Sequence, residues 1–255
     1  MRKFVWGFLF TGVLTLVVPG TWADGFFYAS DGFTSDLLLI DTADGSSSVV
    51  GNMAGLTNGV GLAYNPNTDT MYTRDFDTLF TVDYSNANTT EIGASGDFIT
   101  ALAFSTDYST LYSFNQGSGD FYTVDPSNGN AAFVGNTGMS SPLDMTMSAG
   151  GVLYAATIGA DIYTIDTSNG VTNLVWSAID ARGLTSIQFD AVGNLYGVTL
   201  ADDILVQIDL GTGGVTDIGG PIIGSDIRGM TFVPEPAGLT TLAIGAALVG
   251  LRRRR

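Results

Sequence analysis

The 255-residue sequence has no cysteine and no histidine, and its single lysine is Lys3. Without cysteine there is no disulfide, no thiolate nucleophile and no thiolate metal site. Without histidine the usual general base, the Ser-His-Asp triad and an imidazole zinc site are all excluded. Lysine-based Schiff-base chemistry is excluded from the body of the chain as well. Glutamate is nearly missing too, since Glu91 and Glu235 are the only two among 25 acidic residues. Any catalysis has to run on aspartate, tyrosine, serine and a few arginines.

Cations are scarce. All 25 acidic residues fall between positions 24 and 235, where the only basic residues are Arg74, Arg182 and Arg228, so this part carries a net charge of −22. Nucleic acid and anionic lipid are not expected partners, because binding phosphate needs cationic side chains. Cations, cationic surfaces and neutral polymers stay open. A stretch of roughly 210 residues is long enough for one domain with a substantial core.

The remaining basic residues sit at the two ends. Arg2 and Lys3 precede the apolar run Phe4 to Val18, Pro19 and Gly20 break it, and Thr21-Trp22-Ala23 supplies small residues at the two positions that signal peptidase reads. The pattern reads as a secretory signal peptide over residues 1–23, cut between Ala23 and Asp24. At the other end, fifteen uncharged residues (Ala237 to Leu251) run into Arg252, Arg253, Arg254 and Arg255. A helix of that length rises about 22 Å against a hydrocarbon core of roughly 30 Å, a short span that needs its flanks. Arginines beside such a helix belong on the cytoplasmic side. The bulk of the chain is then expected outside the cytoplasm.

Val233-Pro234-Glu235-Pro236, a short apolar helix and a terminal arginine cluster, in that order, resemble the PEP-CTERM sorting signal. The resemblance covers residues 233–255. It implies processing by an exosortase-type membrane enzyme near the Pro-Glu-Pro, transient residence in the inner membrane, and final placement at the surface of a Gram-negative bacterium that makes exopolysaccharide. In this reading the arginines hold the tail inside until it is cut. The alternative is a plain C-terminal membrane anchor.

Between the signals the chain repeats. LLLID (37–41), LFTVD (79–83), FYTVD (121–125), IYTID (162–166) and LVQID (205–209) end in Asp41, Asp83, Asp125, Asp166 and Asp209, spaced 42, 42, 41 and 43 residues apart. Each is followed by a turn-rich stretch and a second apolar segment such as SVVGN or AFVGN, and most are preceded by a strand pair such as LAYNPNTDTMYT. Four short strands per roughly 42 residues is the signature of a β-propeller blade. The first unit lacks its LAY-type strand, and GMTF (229–232) supplies one at the other end. The expected fold is an all-β, five-bladed propeller over residues 24–232, whose first blade is closed by the C-terminal strand. The repeats are similar to those of bacterial propellers reading LY.ID..TG..T.IG, a likeness of fold that does not decide function.

Candidate sites follow from this layout. The five repeated aspartates read as Asx turns, one per blade. Asp36, Asp75, Asp77, Asp120, Asp161, Asp202 and Asp203 gather near the start of the third strands, where they form either a solvated acidic rim or a calcium site. NPNTDT (65–70) has the oxygen-bearing spacing of a calcium loop but reads better as a strand-connecting turn. Asn58, Asp97, Asp144, Arg182, Asp226 and Arg228 lie at or near the links entering the innermost strands and define a candidate ligand face. Asp144 with Asp97 or Asp226 is the one pair that could serve a carboxylate glycosidase. The leading expectation is a non-catalytic adhesion or matrix protein of an exopolysaccharide layer, with no obligate cofactor. A lectin-like module binding the polysaccharide is the alternative, and a hydrolase acting on it is a third.

Overall fold

A computed structural model describes residues 25–224 and 226–234, and the signal segment expected over residues 1–23, the Ala23–Asp24 cleavage site, Glu235, Pro236 and Arg252 to Arg255 lie outside them. Residues Asp24–Pro234 form one compact unit. No helix among the described residues is long and apolar enough to cross a membrane.

The unit is five antiparallel four-stranded sheets. Blade A holds β1 (Phe26–Asp31), β2 (Asp36–Asp41) and β3 (Ser47–Asn52). Blade B is β4 (Gly59–Asn65), β5 (Thr70–Asp75), β6 (Thr78–Asp83) and β7 (Asn88–Ala94). Blade C is β8 (Ala103–Phe104), β9 (Leu111–Phe114), β10 (Asp120–Val124) and β11 (Ala131–Asn136). Blade D is β12 (Pro142–Met147), β13 (Leu153–Thr157), β14 (Ile162–Ile165) and β15 (Thr172–Trp176). Blade E is β16 (Leu184–Phe189), β17 (Leu195–Thr199), β18 (Ile204–Asp209) and β19 (Gly214–Pro221). Finally β20 (Ile227–Phe232) pairs with β1, with Tyr28 opposite Thr231 and Phe27 opposite Phe232, and completes blade A. The innermost strands β4, β8, β12, β16 and β20 each touch the next around the ring.

Alternation within strands explains the packing. In β1, Phe27 and Ala29 face blade E, where they meet Tyr196, Val198 and Leu205. Tyr28 on the other side packs with Leu62, Met71 and Val82 of blade B. The other interfaces are built alike, with Tyr72, Leu79, Phe104 and Tyr122 between blades B and C. Burying such side chains contributes about 1.5–3 kcal/mol each before chain entropy is counted.

The repeated sequence signatures have separate physical tasks. Asp41, Asp83, Asp125, Asp166 and Asp209 each accept the backbone N–H two residues on, at 2.8–2.9 Å. These are the expected Asx turns, and they fix the hairpin between third and fourth strands. The glycine late in the fourth strand answers the next blade. A Cβ at Gly51 would lie 2.7 Å from the Asn86 carbonyl, and at Gly93, Gly135 and Gly219 it would come closer still to the corresponding turns of their neighbours. Blade D departs from the pattern. There Trp176 lies against Gly213 and donates its indole N–H to the Leu210 carbonyl at 2.8 Å.

Candidate functional site

The links between blades and the loops between second and third strands share one end of the ring. Backbone hydrogen bonds join them in every blade: Met53 N–H to Ser35, Ser95 to Asp77, Thr137 to Gly119, Ile158 to Ser141, Leu200 to Gly183 and Ile222 to Asp203. Both groups of sequence-predicted residues lie on or near this end.

The rim aspartates are engaged singly. Asp36 accepts the Asn52 side-chain amide at 2.8 Å, and Asp120 accepts that of Asn136 at 2.7 Å, the same bond two blades apart. Asp75 caps the link at the Thr57 and Asn58 N–H groups, and Asp161 does so at Ala178 while also accepting Ser177 Oγ. Asp77 accepts the Thr78 hydroxyl, and Asp202 accepts that of Thr199. Asp203 is partly buried, which raises its carboxyl above the ordinary range, and the charges of Asp226, Asp31 and Asp202 push the same way. Among the described residues no three carboxylates come together as a metal-binding cluster. The NPNTDT segment forms a hairpin turn in which Asp69 accepts both the Tyr64 and the Tyr84 hydroxyls.

The link residues other than Asp144 divide into three places. Asn58, Asp226 and Arg228 converge around Gly32: a Cβ there would sit 2.6 Å from Arg228 Cγ, 3.0 Å from Asn58 Oδ1 and 3.3 Å from Asp226 Oδ2. Arg228 donates to Asp226 at 2.6 Å, while Asn58 Oδ1 is buried without a partner. Arg182 is held by Asp180 and Asp217 in bidentate fashion and lies 3.5 Å from Asp202. The two carboxylates raise its already high affinity for a proton. Asp97 stands exposed on the link between β7 and β8.

Asp144 is elsewhere, on the propeller axis. The equivalent inner-strand positions 61, 101, 144, 186 and 229 are Gly, Ala, Asp, Ser and Gly, small or polar residues that would suit a narrow central channel. At that layer the ring is closed, with Ala101, Asp144 and Ser186 fully buried. A Cβ at Gly229 would meet Gly61 Cα at 2.6 Å, so inner strands of blades A and B touch backbone to backbone. The Asp144 carboxylate fills the rest, accepting the Ser186 hydroxyl, Ile187 N–H at 3.0 Å and Met145 N–H at 2.9 Å. Met230 N–H also bonds to it. Burial pushes this carboxyl up to about 7, against those four bonds, which pull it down. It joins blades D, E and A and faces no solvent-exposed carboxylate.

Three features were not anticipated. Arg74 is completely buried; Nη2 donates to the Asp77 carbonyl and Ser95 Oγ, while Nε and Nη1 have no partner. Burial depresses its pKa to about 10. Second, Phe33, Phe76, Ile158 and Leu200 are exposed on the loops after the second strands of blades A, B, D and E, Phe33 most of all at 79%. Phe76 adopts φ 52°, a region unfavourable for a bulky side chain, and its ring lies 5.1 Å from that of exposed Phe98. Aligning the repeats on their second strands would have revealed this ring of apolar positions. Third, a depression of about 620 Å³ opens on blade E, lined by Phe189, Asn194, Leu195, Gln207 and Thr216 among others.

No protein-family model and no curated protein matches the chain. Solved structures do resemble it. A structural-genomics protein of unknown function from Bacteroides thetaiotaomicron superposes with TM-score 0.58 at 16% identity, over 78% of this chain and 56% of its own. A chain of a nidogen/laminin complex gives 0.58 at 13% identity, over 81% and 97%. Virginiamycin B lyase from Staphylococcus aureus gives 0.51 at 14% identity, over 84% and 72%. The likeness is one of fold. The chain thus spans little more than half of the first of these proteins and nearly all of the second.

The chemistry available at the loop end is that of a binding surface: apolar and aromatic side chains among carboxylates, with both partly exposed arginines already neutralised.

Proposed function

We propose that the chain is an exported, surface-sorted propeller without catalytic activity that serves as an adhesion or matrix protein of a bacterial exopolysaccharide layer. One observation supports this most. The candidate acid for hydrolysis, Asp144, is sealed on the axis as a joint between blades, while the loop end presents Phe33, Phe76, Phe98, Ile158 and Leu200 to solvent. Export, exosortase-type processing and passage through the inner membrane rest on residues 1–23 and 233–255 as sequence signals.

A lectin-like role is the second reading, favoured by the blade E depression. There an aromatic ring and two amides, Phe189 with Asn194 and Gln207, line one open site. The equivalent positions of other blades do not repeat the set, so this reading calls for one sugar site rather than five.

The test is a glycan-binding and hydrolysis screen of residues 24–234, with and without calcium. Retention on polysaccharide without release of reducing ends is expected, and it should weaken when Phe33 and Phe98 are both replaced by serine. Release of reducing ends that disappears in Asp144→Asn would overturn the non-catalytic reading. Retention lost only in Gln207→Ala would move the site to blade E.

A further inference from the structure

A propeller leaves one edge strand per blade uncovered, and each presents unpaired N–H and C=O groups that invite another strand. The five outer strands here are not equally guarded. β7 carries exposed Glu91; β19 carries exposed Asp217 and ends in Pro221. β3 is crossed at its start by the link before β20, whose Ile223 N–H donates to Ser47 Oγ at 2.7 Å. β15, with the sequence TNLVW, carries no charge. Its Leu174 and Val175 are exposed, Leu174 at 53%, and Val171 just before it stands at 56%. The apolar surface continues onto β11. Thr172 donates to the Thr137 carbonyl, Gly135 abuts Asn169 and Gly170, and Phe133 two residues earlier is 62% exposed.

Charge agrees with this choice. In a segment carrying −22 overall, residues 126–143 and 167–179 contain no ionisable side chain; residues 45–63 contain none either, but there the link before β20 crosses the β3 edge. A second copy approaching any acidic part of the surface meets like charge. At the blade C and D edge it meets a neutral, apolar strand with open hydrogen-bonding groups. We infer that this edge is a self-association surface, on which β15 of a second copy pairs antiparallel with β15 to make an eight-stranded sheet about a twofold axis. The pairing is self-complementary, because each chain offers the same five-residue strand with Leu174 at its centre. Leu174 would then lie opposite or diagonal to its own copy, with Val171 and Phe133 closing over the flanks. The inference is independent of the polysaccharide reading, since neither the loop end nor the blade E depression takes part.

Sedimentation velocity on residues 24–234, whose ring closes with its own two ends, tests it over protein concentrations from micromolar to several hundred micromolar. A reversible monomer–dimer equilibrium is expected. It should tighten as sodium chloride rises from 50 to 500 mM, because screening shortens the reach of repulsion from roughly 14 Å to about 4 Å. Leu174→Lys places two like charges across the pair and should weaken association at least tenfold, with circular dichroism and melting temperature unchanged. Val171→Lys, outside the strand ladder, should weaken it less. Glu91→Gln on β7 should leave it unchanged. A monomer at every concentration and salt overturns the proposal, as does a dimer indifferent to Leu174→Lys. A dimer of residues 24–234 that is lost in the full chain would mean the edge is covered by one of the chain's own ends, and it also overturns the proposal.

Discussion

Removing the Asp144 carboxylate should break the axis joint. In Asp144→Ala the Met145, Ile187 and Met230 N–H groups and the Ser186 hydroxyl lose their common acceptor inside a layer closed to water. Each buried donor left unpaired costs about 1–3 kcal/mol, the hydroxyl can turn to another partner, and removing the carboxyl relieves its own desolvation, so a loss toward the low end of the sum for three N–H groups, roughly 3–5 kcal/mol, is expected. That is a large part of the about 5–15 kcal/mol by which most domains are stable. For a domain of this size it corresponds to a drop of roughly 6–20 °C in Tm. The pH dependence is more diagnostic. Burial lifts the Asp144 carboxyl from 3.8 to about 7 in the folded state. The folded chain therefore keeps a proton that the unfolded chain releases. The associated stability is fully present below about pH 4 and fades as pH rises toward 7, by at most about 1.4 kcal/mol per pH unit. Asp144→Asn cannot titrate. Its Tm should accordingly lie furthest below that of the wild type at pH 5, and the gap should narrow by pH 8, measured by calorimetry at constant ionic strength. Taking the difference between the two proteins cancels the other carboxylates. A gap that is constant or widens with pH would show that Asp144 is ionised throughout, and the reasoning from burial would fail.

Further outcomes are expected elsewhere. Gly229→Ala drives a methyl group against Gly61 Cα and Leu62 N, and it should cost about 1–3 kcal/mol in urea unfolding with little change in slope; a neutral result would mean the inner strands can separate freely. Arg74→Met removes a buried cation with two unpartnered nitrogens, so stability should be unchanged or raised in the same assay, and a loss above about 3 kcal/mol would reveal a partner for the guanidinium. If calcium binds the rim, millimolar calcium should raise Tm by roughly 3–5 °C beyond sodium chloride of equal ionic strength, as tenfold excess over Kd contributes about 1.4 kcal/mol. Equal shifts in the two salts would mean screening alone; a calcium shift surviving joint replacement of Asp36, Asp75, Asp77, Asp120, Asp161, Asp202 and Asp203 by asparagine would place the ion elsewhere. Deleting Gly238 to Arg255 should convert a cell-retained protein into a released one, by fractionation and immunoblot, and retention in the cytoplasm would refute the export reading.

The ring was legible in sequence because its determinants are local and repeated. Asp125 fixes a turn three residues before Asn128, and the Gly93 that receives that turn recurs in register with Gly51 and Gly135. Even the pairing of β20 with β1 could be read, since a missing strand at one end matched a surplus strand at the other. The candidate site was less legible. Arg182 and Arg228 were placed on the candidate ligand face, but the carboxylates that hold Arg182 could not be named, because Asp217 is 35 residues from it along the chain. Asp144 was read as part of the ligand face, whereas the structure buries it on the axis, a placement that depends on Gly61, Ala101 and Gly229 of three other blades having no bulk. Arg74 reads as an ordinary surface cation, and only packing between blades B and C removes it from water.

The shared first blade also sets an order of events. A chain that emerges N-terminus first delivers β1, β2 and β3 early, and about 175 residues separate β3 from the strand that completes their sheet. Until β20 emerges, the inner edge of β1 is an open template and Phe27 faces an unfinished seam. The last strand to arrive is thus the clasp of the whole ring. Tension applied on the C-terminal side of β20 acts directly on the Phe232–Phe27 pair, the first rung to peel.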